Sequence, residues 1–230
     1  VSLISSTLFL QCRFDDDGRS NRWFTRIDDY FITITGDYAS HLEALGRCVR
    51  LCDMFDTDKL RTFGFINESP MDDDDAVAKI FELLREPVET VEKAGLVLAM
   101  ENCPHTYLQF GSLTRRVIDR IGSPHFRALW DPANAMRSGG VPFPQDYGCV
   151  RGSVVHVHAK DIAMEGGMHM VPLGEGVIDY SGILKSLRED GFGGVISLEP
   201  EYMDPKGGRP EGVRRSLVGI KSILKSLDIA

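Results

Sequence analysis

The 230-residue sequence contains no apolar run near the ~18 residues expected of a membrane-spanning helix. It has no basic excess either: 26 Lys+Arg stand against 34 Asp+Glu, a net charge of −8. A chain this acidic lacks the electrostatic footprint of a nucleic-acid or anionic-membrane binder, so neither partner is expected. No linker, low-complexity stretch or shift in composition divides it, which predicts a single domain over 1–230. Cysteines are few and odd in number (Cys12, Cys48, Cys52, Cys103, Cys149), and their spacing is irregular. That argues against a disulfide framework and for reduced thiols in a cytoplasmic protein. Residue 1 is Val and opens straight into the apolar run 1–10, without a charged leader or cleavage pattern. The chain therefore reads as starting partway through a fold.

What is present is an alternation. Short runs rich in Val, Ile, Leu and Phe at 1–10, 60–66, 96–101, 126–131, 153–160 and 194–199 show little polar alternation. This is the pattern of strands buried on both faces of a parallel sheet. Helical periodicity lies between them at 41–55, 72–94, 111–121, 180–190 and 209–227. Strands alternating with helices imply βαβ units. Long loops are expected at 15–38 and 161–178. Cys48 and Cys52, four apart on a helix, read as core residues rather than a metal clip. The acidic run from Asp72 to Asp75, after Ser69-Pro70, reads as a solvated helix start.

The later strands share a way of ending. Glu101, Asp131, His158 and Glu199 each stand at the C-terminal end of one, at intervals compatible with one βα step. In a parallel barrel that edge builds the active site. Three carboxylates crowded together would repel one another, and a divalent cation relieves this. Carboxylate oxygens with one imidazole nitrogen suit manganese, with magnesium, cobalt or zinc as alternatives. His156 shares a strand face with His158 and reads equally as a group lining the site or as a satisfied core histidine. Lys160 reads as a binder of phosphate or carboxylate, or as the partner of Asp131 or Asp161. Trp130 reads as core, and Gly174–Gly176 as a turn.

MEN at 100–102, WDPAN at 130–134, HVHAKD at 156–161, GEGVID at 174–179 and SLEPEY at 197–202 together resemble the xylose-isomerase-like TIM-barrel superfamily, and within it the sugar (phosphate) isomerase/epimerase group. The resemblance runs from residue 1 to the C-terminal helix. It implies a (β/α)8-type barrel holding one divalent metal through Glu101, Asp131, His158 and Glu199. It also implies that Glu101 and Glu199 are catalytic, moving a proton beside a metal-bound carbonyl through an enediolate. His105, Asn134, His156, Lys160 and His169 are the implied or candidate substrate contacts. The substrate would be a small sugar, sugar phosphate or hydroxy-keto acid undergoing isomerisation or epimerisation. A dehydratase of the inosose or dehydroshikimate type is the alternative, and an endonuclease IV-like repair enzyme a further one. The net charge and Asn134 argue against the last. Two departures alter the contacts usual in ketose 3-epimerases. Asn134 stands where they place His, and Met164 where they place Arg.

Six strands are countable where a closed barrel of this type needs eight. Aligned to the family, the six match strands three to eight. The expectation is an α/β barrel lacking its first two βα units, with open edges at 1–10 and 194–199 that would allow a homo-oligomer.

Overall fold

The computed structural model describes residues 1–10, 12, 37–68 and 71–229. Most of the loop expected at 15–38, and the Ser69-Pro70 pair, lie outside the described residues. The described residues form two compact units, Val1–Leu129 and Trp130–Ala230.

The first unit runs β1 (Ile4–Leu8), α1 (Tyr38–Met54), β2 (Lys59–Phe63), α2 (Asp73–Lys93), β3 (Val97–Glu101), α3 (Gly111–Ile121) and β4 (Phe126–Trp130), whose last residue enters the second unit. The strands are parallel and adjacent in chain order. Their apolar residues are covered: Leu60, Leu98, Ala99, Met100, Phe126 and Ala128 are buried. Helix α2 shows how the intervening segments are built. Asp72 caps it by accepting from the Asp75 amide at 2.9 Å, and Asp73, Asp74 and Asp75 fill its first turn, where the helix dipole favours negative charge. Arg116 of α3 pairs with Asp73 and Asp74, so the acidic run is a helix start with a basic neighbour. One stripe of α2, with Val77, Ile80, Leu84, Val88 and Val91, is buried. Full burial of one such side chain is worth about 1.5–3 kcal/mol. Cys48 and Cys52 lie buried on α1, and burial pushes the Cys52 thiol up to about 11. Both are core residues whose thiols stay protonated and unreactive. His41, also on α1, accepts the Phe9 amide at Nδ1 (3.0 Å), which fixes the end of β1 against the helix.

The second unit runs α4 (Pro132–Arg137), an irregular turn Pro142–Asp146, α5 (Tyr147–Val150), β5 (Val154–Ala159), β6 (Asp161–Ala163), β7 (His169–Val171), α6 (Tyr180–Glu189), β8 (Val195–Leu198) and α7 (Gly208–Ser226). Strands β5 and β8 pair in parallel, in the register His158↔Ser197 and Ala159↔Leu198. Trp130 is buried and donates its indole N–H to Asp146 at 2.8 Å, so it is a core residue with a satisfied polar end.

All six expected strands form, each shorter than its apolar run. The pairs within each unit are parallel, and six such strands are present among the described residues where a closed (β/α)8 barrel has eight. Among the described residues, β1 pairs with β2 alone and β8 with β5 alone. One local expectation needs correction, and one element was not expected. Residues 161–178 are not a plain loop, because β6 and β7 form an antiparallel hairpin within them. Residues 132–137 form a short helix that the strand-ending motif hid. Asp131 caps it, accepting from the Asn134 amide at 2.9 Å, and Pro132 at its first position needs no hydrogen bond there.

Candidate metal centre

Strands β5 and β8 set one face of the second unit with a period of two. His156, His158 and Lys160 alternate with Val157 and Ala159. Across the register, Ser197, Glu199 and Glu201 alternate with Leu198 and Pro200. The polar members meet. His156 Nε2 lies 2.8 Å from Ser197 Oγ, and the His156 ring stands edge-on to His158 with centroids 5.4 Å apart. His158 Nδ1 lies 3.4 Å from Glu199 Oε2. Glu199 directly follows β8, and its amide donates to Ala159 O at 3.0 Å, which carries the strand pairing one residue further.

Asp131 joins this group from the N-terminus of α4. It is fully buried: Oδ1 holds the helix cap, and Oδ2 lies 2.9 Å from Lys160 Nζ. Asp131, His158 and Glu199 each offer one ligand atom, and these atoms lie within 4.8 Å of one another. Two carboxylate oxygens and one imidazole nitrogen, gathered on mostly buried side chains, form a donor set able to coordinate a divalent ion. Lys160 Nζ also lies 2.9 Å from Glu199 Oε2 and 2.8 Å from Glu201 Oε1. The Lys160 backbone is held by the Tyr180 hydroxyl, which accepts from its amide at 3.0 Å and donates to its carbonyl at 2.7 Å. Burial, and then the neighbouring Asp131 and Asp161 charges, hold the Tyr180 phenol well above its ordinary pKa, so it stays protonated for that donation.

Asp161, next in sequence, faces away from Lys160's partners and serves the 174–178 turn. Its Oδ2 accepts from the amides of Gly174 (2.9 Å) and Gly176 (3.1 Å), and its Oδ1 from those of Ile162 (2.9 Å) and Ile178 (3.3 Å). A Cβ at residue 176 would collide with Asp161 Oδ1, which is why glycine stands there. The GEGVID motif is thus a turn built on one carboxylate. Glu175 at its tip pairs with Arg215 of α7.

In the first unit, Glu101 ends β3, opposite Phe63 and Leu129 in the register. Its carboxylate is buried and takes a 3.0 Å ion pair from Arg61 Nη1. Arg61 also donates from Nε to Ser6 O and covers the Phe63 ring at 4.7 Å.

Of the other candidates, Asn134 is buried in the first turn of α4 beside Asp131, and His156 is buried beside His158. His105 is exposed in the left-handed region (φ 66°), and His169 is exposed at the start of β7, its ring 2.8 Å from Gly167 O. Sequence reasoning passed over Arg61 and Glu201. Arg61 carried a signal, a lone cation inside an apolar strand, which demands a buried partner. Glu201 carried one in its two-residue spacing from Glu199.

Comparison with known proteins bears on this arrangement. The model of the family described as xylose isomerase-like TIM barrel matches residues 34–223. The 3-dehydroshikimate dehydratase of Bacillus anthracis is 22% identical over 182 residues, 72% of this chain and 65% of that enzyme. The L-ribulose-5-phosphate 3-epimerase UlaE of Escherichia coli is 29% identical over 117 residues, 50% of this chain and 40% of the epimerase. The chain therefore spans less than two thirds of the length of these curated relatives. Among solved structures, the probable 3-DHS dehydratase AsbF of Bacillus anthracis superposes with a TM-score of 0.69 at 18% identity, covering 95% of this chain and 76% of that one. The family match takes in the first strand-adjacent helix through the last helix, and on that extent the chain belongs to the xylose isomerase-like TIM barrels.

Proposed function

We propose that this chain is a divalent-metal-dependent isomerase or epimerase acting on a small sugar, sugar phosphate or hydroxy-keto acid. The observation that carries this reading is the convergence of Asp131, His158 and Glu199 ligand atoms within 4.8 Å on the second unit. Glu101, at the C-terminal end of its own strand like the others, is the proposed fourth ligand. A metal held there would polarise a substrate carbonyl and stabilise the negative charge left when the neighbouring carbon loses its proton. Glu101 and Glu199 are the proposed proton-moving groups. A carboxylate on each side of a carbon can take a proton from one face and return one to the other, which is the requirement of epimerisation. Lys160 and His156 are proposed to orient substrate oxygens, with Asn134, His105 and His169 as further contacts. Manganese is the proposed ion, since the donor set mixes hard oxygens with one imidazole.

A dehydratase is the second reading, favoured by the sequence similarity to 3-dehydroshikimate dehydratase over 72% of this chain. It would share the proton abstraction and differ in expelling water afterwards.

The test is incubation of the protein with Mn²⁺ and candidate keto-sugars, keto-sugar phosphates and 3-dehydroshikimate in deuterated water, followed by product analysis. Deuterium incorporated next to the carbonyl with carbon skeleton and oxygens retained supports isomerisation or epimerisation. Loss of water from the product supports the dehydratase. Glu101→Gln and Glu199→Gln should each remove most activity and weaken Mn²⁺ binding. Full activity in either variant would refute the assignment.

A further inference from the structure

The ammonium of Lys160 sits where a resident cation would be expected, among carboxylates that belong to the metal donor set. Its side chain is 4% exposed, and Nζ lies 2.9 Å from Asp131 Oδ2, 2.9 Å from Glu199 Oε2 and 2.8 Å from Glu201 Oε1. The Glu199 oxygen it touches is also the one 3.4 Å from His158 Nδ1. A dication seated beside His158 would call on that same oxygen. Glu201 stands apart: it is outside the donor set, and Arg137 grips it from the other side, with Nη1 3.2 Å and 3.3 Å from its two oxygens. With Glu201 also paired to Arg137, the two carboxylates shared with the donor set, Asp131 and Glu199, exceed the single ammonium by one negative charge, which a dication can draw on.

We propose, resting on the metal reading above, that Lys160 is an internal counter-cation that shares Asp131 and Glu199 with the metal and sets metal affinity, with Glu201 as the carboxylate that receives the ammonium when the ion binds. In the metal-free protein, Lys160 relieves the repulsion among the acidic groups and holds Asp131 and Glu199 near their working positions. On metal binding, like-charge repulsion drives the ammonium off the shared oxygens. It remains hydrogen-bonded because Glu201, fixed by Arg137, is already within reach. Lys160 is in this respect a positioning residue. Its period-two placement after His158 is what brings it to this point.

The experiment is titration of the protein with Mn²⁺ alone, by calorimetry and by the electron paramagnetic resonance of free Mn²⁺. It compares the native chain with Lys160→Met, Glu201→Gln and the double variant. Even at the dielectric constant of water, removing a unit positive charge ~4 Å from a dication should tighten binding about tenfold or more, and Lys160→Met should show this. Glu201→Gln should weaken binding about fivefold or more in the native background, because it removes the negative charge that receives the ammonium. In the Lys160→Met background it should change affinity less than about twofold. The same weakening in both backgrounds would reduce Glu201 to a distant charge and overturn the proposal. So would Lys160→Met binding no more tightly than the native chain. Circular dichroism and thermal melting of the metal-free variants check folding. Should Lys160→Met not fold, the partly exposed Glu201→Gln decides alone, and unchanged affinity there overturns the proposal. Absence of Mn²⁺ binding in the native chain and every variant would overturn the metal reading itself, whereas Mn²⁺ binding indifferent to Lys160 overturns only the role given to this lysine.

Discussion

Asp161 offers a sharp test of how the 174–178 turn is held. Both of its oxygens are acceptors, each for two backbone amides, and the side chain is buried. Asp161→Asn keeps the shape and replaces one oxygen by an NH₂ group. Whichever way the amide flips, that group faces two N–H donors, so one pair of amides loses its acceptor and meets a donor instead. A hydrogen bond to a charged group contributes about 1.5–3 kcal/mol, and a buried donor left unpaired costs about 1–3 kcal/mol. Two amides are affected. The bond to Ile178 is long at 3.3 Å, and Gly174 and Gly176 lie on a partly solvated turn where water can replace some of what is lost. The expected loss is therefore about 2–4 kcal/mol. For a chain of this size that lowers Tm by roughly 4–16 °C. Urea denaturation should show a lower midpoint with an unchanged slope, and hydrogen exchange should accelerate at residues 174, 176 and 178 before the rest of the unit. A loss below about 0.5 kcal/mol, the size of an ordinary surface substitution, would refute the claim that this carboxylate organises the turn.

Other expectations follow from the same physics. Arg61→Met should cost about 3–5 kcal/mol in denaturant unfolding, because it takes the cationic partner from the buried Glu101 carboxylate, and the double variant with Glu101→Gln should recover part of that loss. Were Arg61→Met neutral, the 3.0 Å pair would contribute nothing. Tyr180 has its folded pKa raised far above the ordinary 10.0 by burial, so the folded state keeps a proton that the unfolded state releases. Its contribution is intact below pH 10.0 and is lost as pH rises beyond it, at about 1.4 kcal/mol per pH unit. Stability measured against pH should thus fall less steeply above that point in Tyr180→Phe than in the native chain, and identical slopes would count against a buried, protonated phenol.

The division between what could be read from the residues and what needed coordinates is instructive at particular places. The six strands were legible because burial on both faces demands unbroken apolar runs, and 96–101 or 126–131 can satisfy that demand in few other ways. The candidate ligands were legible because a charged residue closing such a run is costly unless it has a purpose at the strand end. Short-range hydrogen bonding was not legible. The helix at 132–137 depends on Asp131 acting as a cap as well as standing at a strand end, and the 161–171 hairpin carries too few residues to show a period. The partners of isolated charges were also hidden. A lone Arg61 announces that it needs a carboxylate, but strand register decides that the carboxylate is Glu101. In the same way, the two-residue spacing in HVHAK and SLEPE puts His156 and His158 on one face of β5, with Lys160, Glu199 and Glu201 just past the strand ends. Which carboxylates the Lys160 ammonium reaches depends on the β5–β8 register and on where α4 brings Asp131. The sequence by itself determined the class of fold and the chemical kinds gathered at the strand ends, since both follow from local pattern and burial. Tertiary structure alone decided who neutralises whom, because ion pairing between residues about 30 or 40 positions apart depends on register, which no local pattern encodes.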